Sequence, residues 1–450
     1  MDTKKLDTGS RDAISFLPDE ILSDILSLLP MKQAVSTSVL SKKWRNIFRL
    51  VDYLDFDYSV SVHPEKGEPK RGERFKEYLD RTQGDSPIIK FSLERHVGDH
   101  NEMAYVSSWV SDAVEHGVLE VDVSVKPRLG MLFMPCELFT SKTLVKLTLG
   151  TQVQCDIPSY VSLPSLKILI IETIFFESKD LSDVLIAGCP VLEELFVRHE
   201  EREAHPYYIS SRTIEKLSVQ YRGCDVYYES GLSFDAPSLV SFDYSDHALY
   251  EYTPVNFGSL VEARVDIRYN RKIVKPDISG LMIGISNIET LHLSPASADT
   301  ISRCVSRHGL LLPMFNNLVS LSFGSNNQRG WKLLPYLLKK SPKLETLIIQ
   351  SLNTSDILIP LNQVKVLHIL GYQGTVQELK HLKSFIGRMQ CLERVRLELA
   401  EGVVVDDGKI LQLHRSMIHA ASHRDLNHAT RKCSIQVHDR SRILHLSLDT

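Results

Sequence analysis

The chain has 450 residues, of which 43% are hydrophobic and 24% charged, with a formal charge of −4 at pH 7; this is the composition of a folded, water-compatible protein without a basic footprint for nucleic acid. Its greasiest segment, residues 163–176, is broken by Pro164, Lys167 and Glu172, so no membrane span is expected. Seven dispersed cysteines without a Cys-x-x-Cys pair exclude a disulfide framework and point to reduced thiols in the cytoplasm or nucleus. Ahead of Ile14 the chain carries Lys4 and Lys5 but no apolar run, so no secretory signal is expected.

The first predicted element is a compact helical module over residues 16–45. Pro18 suits a first helical turn, where its missing N–H costs nothing. Asp19 and Glu20 then place negative charge at the positive end of the helix dipole. Ile21, Leu22, Ile25, Leu26, Leu28 and Leu29 follow, an apolar stripe wider than one buried face requires. Pro30 stops that helix, a second short one is predicted over 31–39, and Ser41 caps a third carrying Trp44, Ile47 and Phe48 on one face. A unit this small cannot bury so much apolar surface by itself. It reads as a docking module.

The residues Leu17-Pro18-Asp19-Glu20-Ile21-Leu22, Ile25-Leu26, Leu29-Pro30, Ala34-Val35, Thr37-Ser38-Val39-Leu40-Ser41 and Trp44-Arg45 resemble the F-box of the large plant F-box family. Leu54-Asp55-Phe56-Asp57 resembles the sequence that often follows it, which sets the module at 12–58. Met31 and Lys43 depart from the commonest residues while keeping their chemistry. The resemblance implies a three-helix F-box that binds a Skp-type adaptor and, through it, a cullin-based ubiquitin ligase. Leu17, Pro18, Ile21, Leu22, Ile25, Leu29, Val39 and Trp44 are the expected adaptor contacts. Residues 59–74, rich in Gly, Pro and charge, read as a linker.

Beyond it one pattern recurs: apolar, two residues, apolar, one residue, apolar. Strong copies include Leu144-Leu147-Leu149, Leu166-Leu169-Ile171, Leu192-Leu195-Val197, Ile288-Leu291-Leu293 and Leu344-Leu347-Ile349. Leu239-Phe242-Tyr244 is an aromatic variant, Leu260-Ala263-Val265 a weak copy, and Ile88-Phe91-Leu93 and Val118-Val121-Val123 are less regular units. From 88 to 392 the copies recur about every 25 residues, within the leucine-rich-repeat range. Each copy ends in a strand with one buried face, and only stacked neighbours can complete the core. An irregular solenoid, a parallel-sheet horseshoe, is therefore predicted over 75–365, with short return helices at 181–187 and 331–339. A doubly wound fold would need longer crossover helices and a phosphate-binding glycine loop.

Such an array exposes its last core face and needs a cap. Leu379, Leu382, Phe385, Ile386 and Met389 mark an amphipathic helix leading to a strand at 392–399. The run from Leu382 through Val395 resembles the FBD segment that follows repeats in many plant F-box proteins. An α/β cap over 366–450 is expected.

No catalytic constellation stands out. His414, His419, His423 and His428 lack a cysteine or acidic ligand at a usual spacing, and no nucleophile elbow or nucleotide loop is present. No metal, cofactor or enzymatic activity is expected. Recognition falls instead to residues facing away from the core, between and just before the last apolar positions. Ile168, Ile170, Phe196, Asp243, Arg264, His292, Arg394 and Arg396 are the target-binding candidates. Eight of 16 tyrosines lie between Tyr207 and Tyr252, a composition suited to a binding surface or to packing between uneven repeats. The expected function is substrate recognition in a Skp–cullin–F-box ligase. The alternatives are an F-box interaction protein without a degradative role and a small-molecule-dependent co-receptor.

Overall fold

A computed structural model describes residues 17–29 and scattered positions to 47, then 53–56, 89–97, 100–127, 134–150, 157–172, 181–199, 208–223, 231–253, 255–270, 275–352, 358–402, 434–439 and 442–447, with a few single positions besides. The expected linker at 59–74 and the histidine tract at 414–428 lie outside the described residues. The chain divides into two compact units, Met1–Leu192 and Glu193–Thr450.

In the first unit, helix α1 (Asp19–Ser27) starts immediately after Pro18, with Asp19 and Glu20 in its first turn. The parallel sheet runs in sequence order through β1 (Tyr53–Phe56), β2 (Lys90–Val97), β3 (Glu120–Pro127), β4 (Lys146–Gly150) and β5 (Ile168–Glu172). Residues 53–56, at the end of the expected docking module, form a strand that pairs with the repeat sheet, with Leu54 in register with Phe91. Alternation of Leu54 and Phe56 is strand chemistry, and it finds a pairing partner in β2. Helix α2 (His100–Glu115) connects β2 and β3 and buries Val106, Trp109, Val110 and Ala113, the i, i+3, i+4, i+7 stripe of a helix lying on a core.

The second unit repeats the arrangement through β6 (Glu194–His199), β8 (Lys216–Tyr221), β10 (Ser241–His247), β12 (Glu262–Arg268), β13 (Thr290–Leu293), β14 (Ser320–Gly324), β15 (Thr346–Gln350), β16 (Val366–Tyr372), β17 (Arg394–Leu399) and β18 (Ser434–Asp439), all parallel. The repeat apolar residues point inward and are nearly inaccessible. Burying each such leucine contributes about 1.5–3 kcal/mol. The weak copy keeps the same register: Ala263 stands between Phe242 and Leu291, a small residue flanked by a ring and a leucine.

The register is set at each strand's start. The Glu215 carbonyl accepts from the N–H groups of both Val240 and Ser241, the Val240 carbonyl from Val261 and Glu262, and the Glu289 carbonyl from Val319 and Ser320. The same two-donor arrangement recurs at Glu193, Val261, Val319, Glu345 and Lys365. It satisfies two amides per strand that would otherwise be orphaned where the chain bends into the sheet.

Return segments differ along this unit. The early ones form a three-stranded parallel side sheet, β7 (Tyr208–Ser210), β9 (Ser233–Asp235) and β11 (Val255–Asn256), which sequence periodicity does not reveal. The later ones are helices α3 (Ser279–Gly284), α4 (Pro295–His308), α5 (Gln328–Trp331) and α6 (Leu334–Lys340). Ser294 caps α4 by accepting from the Ser297 amide. The buried Ser297 hydroxyl then bonds the Val265 carbonyl at 2.8 Å and the Ile267 amide at 2.6 Å, tying that helix to β12. The predicted returns at 181–187 and 331–339 are helical, over Leu181–Ile186 and Leu334–Lys340.

The C-terminal helix α7 (Val376–Arg388) begins in a reciprocal cap: the Thr375 hydroxyl accepts from the Glu378 amide while the Glu378 carboxylate accepts from the Thr375 amide. Leu382, Phe385, Ile386 and Met389 are buried as the pattern predicts. The sheet passes through the expected cap boundary at 366 without interruption. It ends where β19 (Arg442–Ser447) turns antiparallel against β18.

Aromatic residues fill the core beneath the side sheet. Phe234, Phe242, Tyr244 and Phe257 lie with ring centroids 4.9–5.9 Å apart. Beside them Asp246 is wholly buried. Its carboxylate accepts from the Tyr244 hydroxyl at 3.1 Å and from the His247 amide at 2.5 Å, and the Tyr244 and Tyr252 hydroxyls are 3.1 Å apart. Asp246→Ala leaves these buried donors without their acceptor, and we expect it to cost about 1–3 kcal/mol in urea unfolding; a change within error would show that the network contributes nothing. Burial pushes the Cys189 thiol up to about 12 and the Cys304 thiol up to about 11, while Cys136 is exposed. Site-resolved alkylation of the native protein at mildly alkaline pH is expected to modify Cys136 well before either.

Candidate functional site

Two surfaces emerge. The first is on α1, whose apolar surplus divides into two stripes. Leu22 and Leu26 are fully buried, and Leu29 is half-buried. Ile21, Ile25 and Leu28, also at i, i+4, i+7, are 46%, 38% and 84% exposed. Both stripes follow helical spacing, so one closes the module and the other is left facing solvent. Leu22 was expected at the adaptor surface and instead is core, because it falls on the inward stripe. Pro18 is exposed and Leu17 half-buried. The Lys43 ammonium bonds the Leu17 carbonyl at 3.0 Å and lies 3.4 Å from Asp19, fixing the start of α1. Trp44 is half-buried, and its amide donates to the Ser41 hydroxyl at 3.3 Å, as the predicted cap requires. Val39 lies outside the described residues. Ile14 and Leu40, 54% and 71% exposed, are further exposed apolar residues of the module that helical periodicity did not single out.

The second surface is the sheet face turned away from the core. In the first unit, Ile168 and Ile170 are half-buried on β5, and Ile170 continues a row through Ser92, Asp122 and Thr148. Burial raises the carboxyl pKa of Asp122 despite the opposing Lys90 and Lys146.

In the second unit, strand register aligns six of the predicted residues with neighbours sequence spacing alone did not connect. The central row runs Phe196, Ser218, Asp243, Arg264, His292, Ser322, Ile348, His368, Arg396 and Gln436. Phe196 is 37% exposed at one end. Arg394 occupies the adjacent row, beside Val366 and Ser434. The charges on this face are extensively paired. Lys216 contacts Glu194 at 2.5 Å, and Glu262 accepts from Arg264 at 2.9 and 3.0 Å with His292 3.4 Å away. Asp243 accepts from Ser218 and Gln220, each at 3.4 Å. His368 and Glu398 are 3.0 Å apart. Glu262 meets Arg264 two residues along the same strand and His292 across to the next one, whereas Glu398 is joined to His368 only by cross-strand register, which chain spacing does not show.

The described tyrosines of the rich tract serve mainly in packing: Tyr221, Tyr244 and Tyr252 are buried, with Tyr208 and Tyr250 half-buried. At the C-terminal ends of β14–β16 lies a cavity of about 350 Å³ lined by Pro295, Ser325, Asn326, Gln350, Ser351, Leu370 and Gly371, none of them charged. Among the described residues no group of three or more His, Cys, Asp or Glu could hold a metal ion, and no helix is long and apolar enough to cross a membrane.

Burial and the neighbouring Arg264 lower the His292 pKa below 6.5, against the opposing pull of Glu262. A histidine with a depressed folded pKa stabilises the fold fully above its unfolded pKa, and that contribution is lost as pH falls through the folded value. We therefore expect stability to drop between neutral and acidic pH by less in His292→Gln than in the parent protein. An NMR titration placing His292 above 6.5 would contradict the burial argument.

Two family profiles match these regions. The F-box domain matches residues 14–55, and the leucine-rich repeats described for the FBD-associated F-box protein At5g56370 match residues 106–258. F-box/LRR-repeat protein At3g60040 of Arabidopsis thaliana is 53% identical over 440 residues, spanning 93% of this chain and 96% of that protein. F-box/LRR-repeat protein At1g06630 of the same organism is 53% identical, spanning 88% of this chain and 99% of its own length. The putative F-box/LRR-repeat protein At3g44810, also from Arabidopsis thaliana, is 38% identical across 91% of this chain and 96% of its own.

Proposed function

The chain belongs to the plant F-box/leucine-rich-repeat family, and from that premise we propose that it is a substrate-recognition subunit of a Skp–cullin–F-box ubiquitin ligase. The observation that carries this reading is the second stripe of α1. Ile21, Ile25 and Leu28 are apolar, evenly spaced and solvent-facing, on a helix whose inward stripe is already satisfied. Water contact at such a surface is costly and burial against a partner recovers it. A Skp-type adaptor is the partner an F-box implies, and the cullin is reached through that adaptor.

The repeats hold the target. Their outward face presents a continuous row of side chains across parallel strands, with apolar Phe196 and Ile348 among polar neighbours. The protein contributes no catalytic group of its own in this reading; ubiquitin transfer belongs to partner subunits, and the site of action is the cytoplasm or nucleus. The uncharged cavity beside β14–β16 favours, as a second reading, a small neutral ligand that helps to hold the target.

Co-expression with a Skp-type adaptor tests the docking surface. Replacing Ile21, Ile25 or Leu28 singly with glutamate leaves the inward stripe intact and is expected to weaken adaptor binding about tenfold or more per site, the equivalent of one desolvated apolar contact. Undiminished co-purification of the triple variant would remove this surface from the interface.

A further inference from the structure

Along the outward face of the second unit, from β6 to β17, the described charged side chains are engaged one by one. Lys216 is matched to Glu194, Arg264 and His292 to Glu262, and His368 to Glu398. Asp243 and Asp266 are satisfied by hydroxyl and amide donors, and Arg268 donates one terminal nitrogen to the Tyr221 carbonyl, although its Nε is unmatched. Arg394 and Arg396 are the exception. Among the described residues neither side chain has a hydrogen-bond or ion-pair partner, and the Nε of Arg396 is shielded from water as well. A shielded, unmatched donor on a cation is destabilising by about 1–3 kcal/mol or more, so this arrangement gains when an acceptor arrives.

We propose that Arg394 and Arg396 bind an extended acidic segment of the target protein, one bearing carboxylates at alternate positions. The inference rests on the reading of the repeats as the target-holding surface and specifies what one end of that surface recognises. Two residues apart on one strand, the two arginines are separated by about 6.6 Å along the sheet. That is also the spacing of same-side carboxylates in an extended chain laid along β17. Guanidinium forks match carboxylates bidentately, which favours arginine over lysine at such a site. The local acids do not compete: Glu398 is engaged by His368, and Glu393 also has a partner. Val366, half-buried and in register with Arg394, together with Ile348 beyond His368, gives the segment an apolar shoulder.

Full-length protein with its adaptor can be titrated by fluorescence anisotropy with three labelled peptides: alternating glutamate and serine, alternating lysine and serine, and alternating phosphoserine and alanine. The glutamate peptide is expected to bind in a salt-sensitive manner and the lysine peptide not to bind. Arg394→Gln with Arg396→Gln should weaken glutamate-peptide binding about tenfold or more, with adaptor binding unchanged and the melting temperature equal to or above the parent's, since the unmatched cation is gone. Arg394→Lys with Arg396→Lys, which keeps charge but not the fork, should fall between. Equal binding to the parent protein and the glutamine variant overturns the proposal. So does a phosphoserine peptide that binds far more tightly than the glutamate peptide and depends on the same arginines, since the anion would then be phosphate. A target captured equally by parent and double variant defeats this inference but leaves the receptor reading intact. A chain that docks its adaptor yet alters no protein's lifetime in cells defeats the receptor reading, while the peptide titration still reports on the arginines.

Discussion

Register at the start of each strand is the constraint on which the repeat region depends. There a single carbonyl holds two successive amides of the following strand, from Glu193 through Lys365. Because strand side chains alternate with a period of two, a slip of one residue would turn every inward leucine toward water. Held in register, Leu217, Phe242, Ala263, Leu291 and Leu321 line one face and Ser218, Asp243, Arg264, His292 and Ser322 the other. Core and recognition surface are thus two consequences of one set of main-chain bonds.

The same economy explains how the repeats tolerate irregular sequence. A strand contributes only two or three inward side chains, so a poor copy such as Leu260-Ala263-Val265 is carried by its neighbours. What varies freely is the return path: a side sheet over an aromatic core in the first half of the second unit, and capped helices in the second half. Two polar groups in the core are held by specific partners. Asp246 is held by Tyr244 and the His247 amide, and Ser297 stitches α4 to β12.

Much was legible because it depends on local periodicity. The α1 stripes, the Ser41 cap, the inward repeat positions and helix α7 with its buried Leu382, Phe385 and Ile386 follow from spacings within one element. The less legible features depend on what packs against a residue in space. Residues 53–56 close the docking module in sequence, and their pairing with β2 is visible only in space. The tyrosine tract reads equally as surface or packing until Tyr244 and Tyr252 are found bonded in the core. Leu22 and Ile21 are adjacent apolar residues of one helix, and only what lies against that helix separates core from contact.

The sequence by itself determined the kind of molecule: a small helical docking module with excess apolar surface, a repeat whose strands must stack, and no constellation of acid, base or metal ligands. Those conclusions rest on composition and on the periods of helix and strand, which every segment carries within itself. Only the tertiary structure decided how the outward charges combine. Arg264 and Arg396 occupy equivalent positions in their repeats, yet Arg264 is engaged by Glu262 and Arg396 is left without a partner. Arg264 meets its acid two residues away on its own strand, but Glu398, equally near Arg396 in the chain, is drawn to His368 on the neighbouring strand, and only register across strands decides that.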